Sequence, residues 1–125
     1  MIIKESAENY LEAILSIGKA KGTVRSIDVA NELGFSKPSV SVAMKNFREE
    51  GYITVDSDGS LSLTDKGREI AERVYERHNI IAKILIFLGV DKEIAYEDSC
   101  KMEHALSDES FEKIKGFFEE HIKGC

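Results

Sequence analysis

Proline occurs once and cysteine twice in this chain of 125 residues, and nowhere do eighteen apolar residues follow one another. The absence of such a run excludes a transmembrane helix. The start, "MIIKESAEN", lacks the cationic flank and the apolar length of a secretory signal, so the expectation is a cytoplasmic protein with no membrane partner. Two cysteines, Cys100 and the terminal Cys125, are too few for a disulfide framework and point to a reducing compartment. Internal repeats and low-complexity tracts are absent too. With 42% hydrophobic residues and only nine glycines, the chain is one globular unit or two small lobes sharing a core.

A net charge of -6 argues, taken whole, against a nucleic-acid binder, because phosphate contacts want lysine and arginine. The acidity is unevenly spread. Residues 1–68 carry nine basic and ten acidic side chains, and residues 69–125 carry eight and thirteen. The N-terminal half is therefore free to carry a local basic surface.

Periodicity divides the chain into six helices and a hairpin. Ser6 is a candidate N-cap for a first helix to about Lys19, with Tyr10, Ala13, Ile14 and Ile17 at helical spacing. Ser26 is the candidate cap of a short second helix with Ile27, Ala30 and Leu33 on one face, ended by Gly34. Ser36 caps a third, where Pro38 fits the first turn and Val40, Ala43, Met44 and Phe47 form the apolar stripe. The period then changes to two. Ile53 and Val55, then Leu61 and Leu63, flank an Asp58-Gly59 turn signal, which predicts a two-stranded wing. Thr64 opens a long helix whose apolar positions run through Ile70, Val74, Ile81, Ile84, Leu85 and Leu88. Two more follow, one from roughly Lys92 to Leu106 and one capped by Ser107 or Asp108 and carrying Phe111, Ile114, Phe117 and Phe118. The fold class expected is mainly α: a winged helix-turn-helix DNA-binding domain over residues 1–68, then an α-helical domain over residues 69–125.

Two sets of residues could carry function. From Ser36 to Asn46 the third helix has Lys37 and Lys45 and no acid, while Ser36, Ser39 and Ser41 are small donors able to approach phosphates or base edges. The alternative is a solvated helix in a bundle. Further on, Cys100, Glu103 and His104 stand at i, i+3 and i+4 and share one helical patch. Thiolate, carboxylate and imidazole are all transition-metal ligands. A small buried cysteine, a solvated glutamate and a packed histidine fit the triplet equally well. His78, between Val74 and Ile81, and the Asn9/Glu12 pair on the first helix are further oxygen and nitrogen donors of the same kind.

The stretches "SAENYLEAI", "FSKPSVS", "EEGYITVDSDGSLSLTDKGREIAERVYERH" and "DSCKMEHALSDE" resemble, in order and spacing, the diphtheria toxin repressor and manganese transport regulator family of metal-activated transcriptional repressors. The resemblance covers nearly the whole chain. It implies a second domain for dimerisation and metal binding, and a two-domain form without the SH3-like domain of iron-branch members. It places metal ligands on Asn9, Glu12, His78, Cys100, Glu103 and His104, with Glu12 matching the manganese branch only and Cys100 the iron branch. Asn9 stands where the branches carry Met or Asp. On the DNA side, Ser36, Pro38 and Ser39 match family contact positions, and Val42 replaces a glutamine, leaving thymine-methyl contact as a substitute.

The implied cofactor is a divalent transition metal. A thiolate ligand favours Fe2+ over Mn2+, with Zn2+, Co2+ and Ni2+ as the other candidates. The implied partners are a double-stranded DNA operator and a second copy of the chain, with metal linking the DNA-binding lobe to the dimerisation core. Two other readings compete. One is a winged-helix regulator sensing a small organic ligand without metal; the other is an enzyme using Cys100 and His104 as nucleophile and base, for which no orienting group or oxyanion loop is evident.

Overall fold

In the computed structural model, residues 5–123 are described, and Cys125 lies outside them. Eight elements follow in order: α1 (Glu5–Lys21), α2 (Ser26–Leu33), α3 (Lys37–Glu49), β1 (Ile53–Val55), β2 (Leu61–Leu63), α4 (Asp65–Phe87), α5 (Lys92–Met102) and α6 (Asp108–His121). They form two compact units, Met1–Arg73 and Val74–Cys125. The dividing point falls within α4.

The first unit is built from α1 to β2 and the start of α4. Leu11, Val29 and Val40 are wholly buried, and with Ile14, Leu15, Met44, Phe47 and Ile53 they form its core. Tyr10 of α1 sets its ring against Phe35 and Phe47, at centroid distances of 5.5 and 5.6 Å, and Phe47 meets Tyr52 edge-on. Edge-to-face pairs of this kind add about 0.5–1.5 kcal/mol each to what burial alone supplies. Strands β1 and β2 are antiparallel, pairing Ile53 with Leu63 and Val55 with Leu61. A bridge from Val24 to Leu61 joins the α1–α2 connection to the hairpin, its N–H···O distance being 2.7 Å. At the hairpin tip the Asp58 carboxylate accepts from both the N–H and the hydroxyl of Ser60, and Gly59 takes the φ of +87° that the turn requires.

Local signals fixed some boundaries and not others. Ser36 caps α3, accepting from the Ser39 N–H, and Gly34 closes α2 at φ +71° with its N–H on the Ala30 carbonyl. Thr64 accepts from the Gly67 N–H at the start of α4 and donates to the Gly51 carbonyl at 2.6 Å. Ser6, by contrast, sits inside α1 rather than at its cap. Ser26 is likewise the first residue of α2, whose N-cap is Arg25; the Asp28 carboxylate does the capping by accepting the Arg25 N–H at 3.0 Å. The face that α2 buries is Val29 and Ala30, and Ile27 is exposed, because the helix packs against both α1 and α3.

In the second unit Ile80, Phe111, Phe118 and Ile122 make the core, with Ile84, Leu106 and Ile114 packed on it. The Ser107 hydroxyl caps α6, accepting from the Ser110 N–H. Helix α5 buries only the small residues Ala95 and Ser99, which gives it little apolar grip. It also ends at Met102, four residues before the expected Leu106. Leu88 and Phe117, expected on buried stripes, are 71% and 55% exposed. Among the described residues, no helix is long and apolar enough to cross a membrane.

Candidate metal centre and nucleic-acid interface

The early end of α5 shapes the metal-ligand cluster. Glu103 keeps a helical conformation, its N–H bonded to the Ser99 carbonyl at 2.9 Å, while His104 already lies in the turn that leads to α6. Cys100, Glu103 and His104 nevertheless converge, each offering a ligand atom within 4.8 Å of the others. Ligands sharing one transition-metal ion, with bonds of about 2.0–2.3 Å, span a comparable distance. The expected i, i+3, i+4 patch is therefore present, although it straddles the end of a helix.

Glu103 is only 2% exposed, and burying a bare carboxylate is costly. Two imidazoles flank it. His104 Nε2 lies 3.2 Å from one carboxylate oxygen, and His78 Nδ1, from α4, lies 3.7 Å from the other. The His78 ring is turned by its second nitrogen, Nε2, which stands 3.2 Å from the Tyr96 carbonyl. A carbonyl can only accept, so Nε2 carries the proton and, in the neutral ring, Nδ1 presents a lone pair toward Glu103. A lone pair and a carboxylate face to face are stabilised by a shared cation, either a proton or a metal ion. An outer hydrogen bond that sets tautomer and ring angle is the usual support of a metal-ligating histidine. The donor set fits a divalent transition metal.

The turn that carries Glu103 and His104 is held by a residue that sequence reasoning passed over. Arg77, next to His78 on α4, is buried, and its Nη1 donates to the carbonyls of Glu103 at 3.1 Å and Leu106 at 2.9 Å. Its Nη2 is paired with the Asp108 carboxylate, and its guanidinium lies 5.0 Å from the centre of the Phe111 ring. Only the place of Arg77 beside His78 in the sequence hinted at this. Asn9 and Glu12 lie one turn apart on α1, in the first unit, Asn9 partly exposed and Glu12 buried.

On α3, Ser36, Lys37, Pro38, Ser39, Ser41, Val42 and Lys45 are all exposed. The Ser36 hydroxyl donates to Ser39 Oγ as well as capping the helix, so its first duty is structural. Val42 is 61% exposed, an apolar methyl surface in the middle of a polar face. No acid occupies the first turn of α3, which leaves its positive dipole end uncompensated. Between α3 and the hairpin, Ser41, Met44, Lys45 and Arg48 line one wall of a cavity of about 230 Å³, with Val55 and Leu61 opposite. Arg48, seven residues from Ser41 and three from Lys45, extends the basic face by one turn beyond the stretch singled out above. Near the wing, Arg25 lies 3.7 Å from Asp58. Asp28 is held below the ordinary carboxylate range first by its hydrogen bond from Lys21 and then by the Arg25 N–H; Asp58 is lowered by the two hydrogen bonds from Ser60.

A winged helix in one unit, and a thiol, a carboxylate and two imidazoles gathered in the other, define a metal-responsive DNA-binding regulator. Comparison with known proteins says which kind. Residues 3–61 match the iron-dependent repressor N-terminal DNA-binding domain, and residues 64–124 match the iron-dependent repressor metal-binding and dimerisation domain. The chain belongs to the iron-dependent repressor family of metal-dependent transcriptional repressors. An uncharacterised HTH-type transcriptional regulator of Methanocaldococcus jannaschii is 35% identical over 119 residues, covering 94% of this chain and 95% of its own. The transcriptional regulator MntR of Escherichia coli is 33% identical over 118 residues, 94% of this chain and 76% of that one. A solved manganese-dependent transcriptional repressor in complex with manganese superposes with a TM-score of 0.81 at 25% identity, over 90% of this chain. This chain spans 52% of that repressor's length.

Proposed function

We propose that the protein is a homodimeric repressor that binds operator DNA tightly when a divalent transition metal, Fe2+ in preference to Mn2+, is held by Cys100, Glu103, His104 and His78. The observation that carries this is the buried Glu103 carboxylate with an imidazole at each oxygen and a thiol within reach. When bound, the metal supplies the positive charge that this buried set of electron-pair donors calls for. Cys100 tips the preference, because thiolate suits iron and zinc better than manganese. Asn9 and Glu12, oxygen donors one turn apart on α1, join the ligand set in keeping with the family resemblance.

The division of labour follows the chain, residues 1–68 reading DNA and residues 69–125 holding metal and partner. Ser39, Ser41, Lys37, Lys45 and Arg48 meet the phosphate backbone, Ser36 and Pro38 set the helix end against it, and Val42 meets thymine methyl groups. Ile86, Phe87, Leu88, Ile94, Met102 and Phe117, all exposed, supply apolar surface for a second copy. Metal that strengthens DNA binding must itself be bound more strongly in the presence of DNA, by the same factor.

The test is an anaerobic gel-shift titration of metal-free protein with Fe2+, Mn2+ and Zn2+ in parallel, repeated with Glu103→Ala. Metal should tighten operator binding, and the variant should lose the response while sedimenting as a dimer. Equal affinity with and without metal would refute the proposal and favour a regulator of the ligand-sensing, metal-independent kind.

A further inference from the structure

The last carbonyls of an α-helix have no partner within the helix and must find one elsewhere. One such oxygen, that of Glu103 at the end of α5, and the Leu106 oxygen in the connection beyond it both accept from the Nη1 of Arg77, a residue on another helix. The same guanidinium reaches the Asp108 carboxylate at the first residue of α6 and lies against Phe111 one turn further on. One planar fork therefore spans the whole connection from α5 to α6. We infer that Arg77 is a positioning residue of the metal centre: it fixes the turn carrying Glu103 and His104 against α4, and with it their aim toward Cys100 and His78.

The geometry supports this in three ways. Arg77 and His78 are consecutive on α4, so the residue that holds the turn and the imidazole facing that turn share one piece of rigid backbone. The bond from Arg77 goes to the main-chain oxygen of Glu103, while the carboxylate faces the two imidazoles. A cation at a helix C-terminus also complements the dipole there, which favours ending α5 at this point. Lysine could not replace it, since an ammonium on a flexible stem is a point donor and lacks the fork that serves two carbonyls and a carboxylate together.

The inference rests on the metal-centre reading above, and the experiment separates the two. Metal-free wild type, Arg77→Lys, Asp108→Asn and Cys100→Ser proteins are titrated with Co2+, reading affinity and the thiolate-to-cobalt absorption, with circular dichroism of each metal-free protein as the check on folding. Loss of an outer partner of a metal ligand costs about 10- to 100-fold in affinity. Arg77→Lys is expected to lose affinity on that scale and to show a changed cobalt spectrum while its helical content stays that of the wild type. Asp108→Asn, which frees one arm of the fork, is expected to show a smaller loss in the same direction. If both bind Co2+ with wild-type affinity and spectrum, the positioning role is overturned. Should Arg77→Lys fail to fold, the Asp108→Asn result decides by itself. If Cys100→Ser also leaves affinity and spectrum unchanged, it is the metal centre that is wrong; if Cys100→Ser abolishes the thiolate band and the other two do nothing, only the role of Arg77 is.

Discussion

Substituting Gly67 with alanine sets two physical effects against each other, and the sign of the result decides between them. Gly67 lies in the first turn of α4, where alanine is favoured over glycine by about 1 kcal/mol from helix propensity. Its backbone, however, passes so near Tyr52 that an added Cβ would stand 2.1 Å from the Tyr52 carbonyl oxygen. Such contacts do not occur below 3.0 Å, and the neighbour is backbone, so α4 and the hairpin must separate by about 0.9 Å or more. Two hydrogen bonds cross that junction, Thr64 N–H to Tyr52 O at 3.0 Å and the Thr64 hydroxyl to Gly51 O at 2.6 Å. A displacement of that size breaks the first and stretches the second to the edge of hydrogen-bonding range, at a cost of about 0.5–1.5 kcal/mol each. With residual strain added and the propensity gain deducted, the net loss is about 1–3 kcal/mol. With a urea dependence of about 1–3 kcal/mol per molar, the unfolding midpoint should fall by roughly 1 M. Gly116→Ala is the control, because a Cβ on this α6 glycine meets nothing within 4 Å. Propensity acts there unopposed, and a gain of about 0.5–1 kcal/mol is expected. A Gly67→Ala protein as stable as wild type, or more so, would show that the helix start and the hairpin do not press on one another as described.

Three further outcomes are expected. Lys45→Ala and Arg48→Ala should each weaken binding to all DNA sequences alike and reduce the salt slope by about 1; an unchanged slope in a filter-binding series would take those residues off the phosphate backbone. Cys100→Ser should narrow the preference for Fe2+ over Mn2+ by about tenfold, the scale on which a metal site feels an altered partner, as read by competition titration. A preference that stays put would remove the thiolate from the site. Asp28, whose pKa is lowered in the fold by Lys21 and then Arg25, contributes stability that is fully present above its unfolded pKa and disappears as pH falls through the lowered value. Asp28→Asn should therefore lower the urea midpoint at neutral pH and lose its effect in strong acid, whereas a pH-independent difference would contradict the assignment.

Signals that depend on a few neighbouring residues were legible in the sequence, and those that depend on distant partners were not. Ser36, Thr64 and Ser107 cap the helices they precede, because a hydroxyl needs only the N–H three residues on. Ser26 failed as a cap where Asp28, two residues later, offered a charged acceptor to the Arg25 N–H. Ile27 and Phe117 sit at helical spacing with apolar neighbours and still face outward, since burial is decided by the helices on either side and spacing cannot name them. The Cys100, Glu103 and His104 grouping followed from their spacing and survived the early end of α5 because Glu103 stays helical. What bonds the carbonyl at the end of α5 is Arg77, 26 residues upstream of Glu103, and no local pattern announces a contact of that span.

Because Arg77 grips Glu103 by its main-chain oxygen, the scaffold of the turn is indifferent to which side chain stands at that position. An exchange of carboxylate, thiol or imidazole at 103 removes none of the atoms to which the fork is bonded. Recognition of the metal and construction of the loop are thus written in different atoms of the same residues.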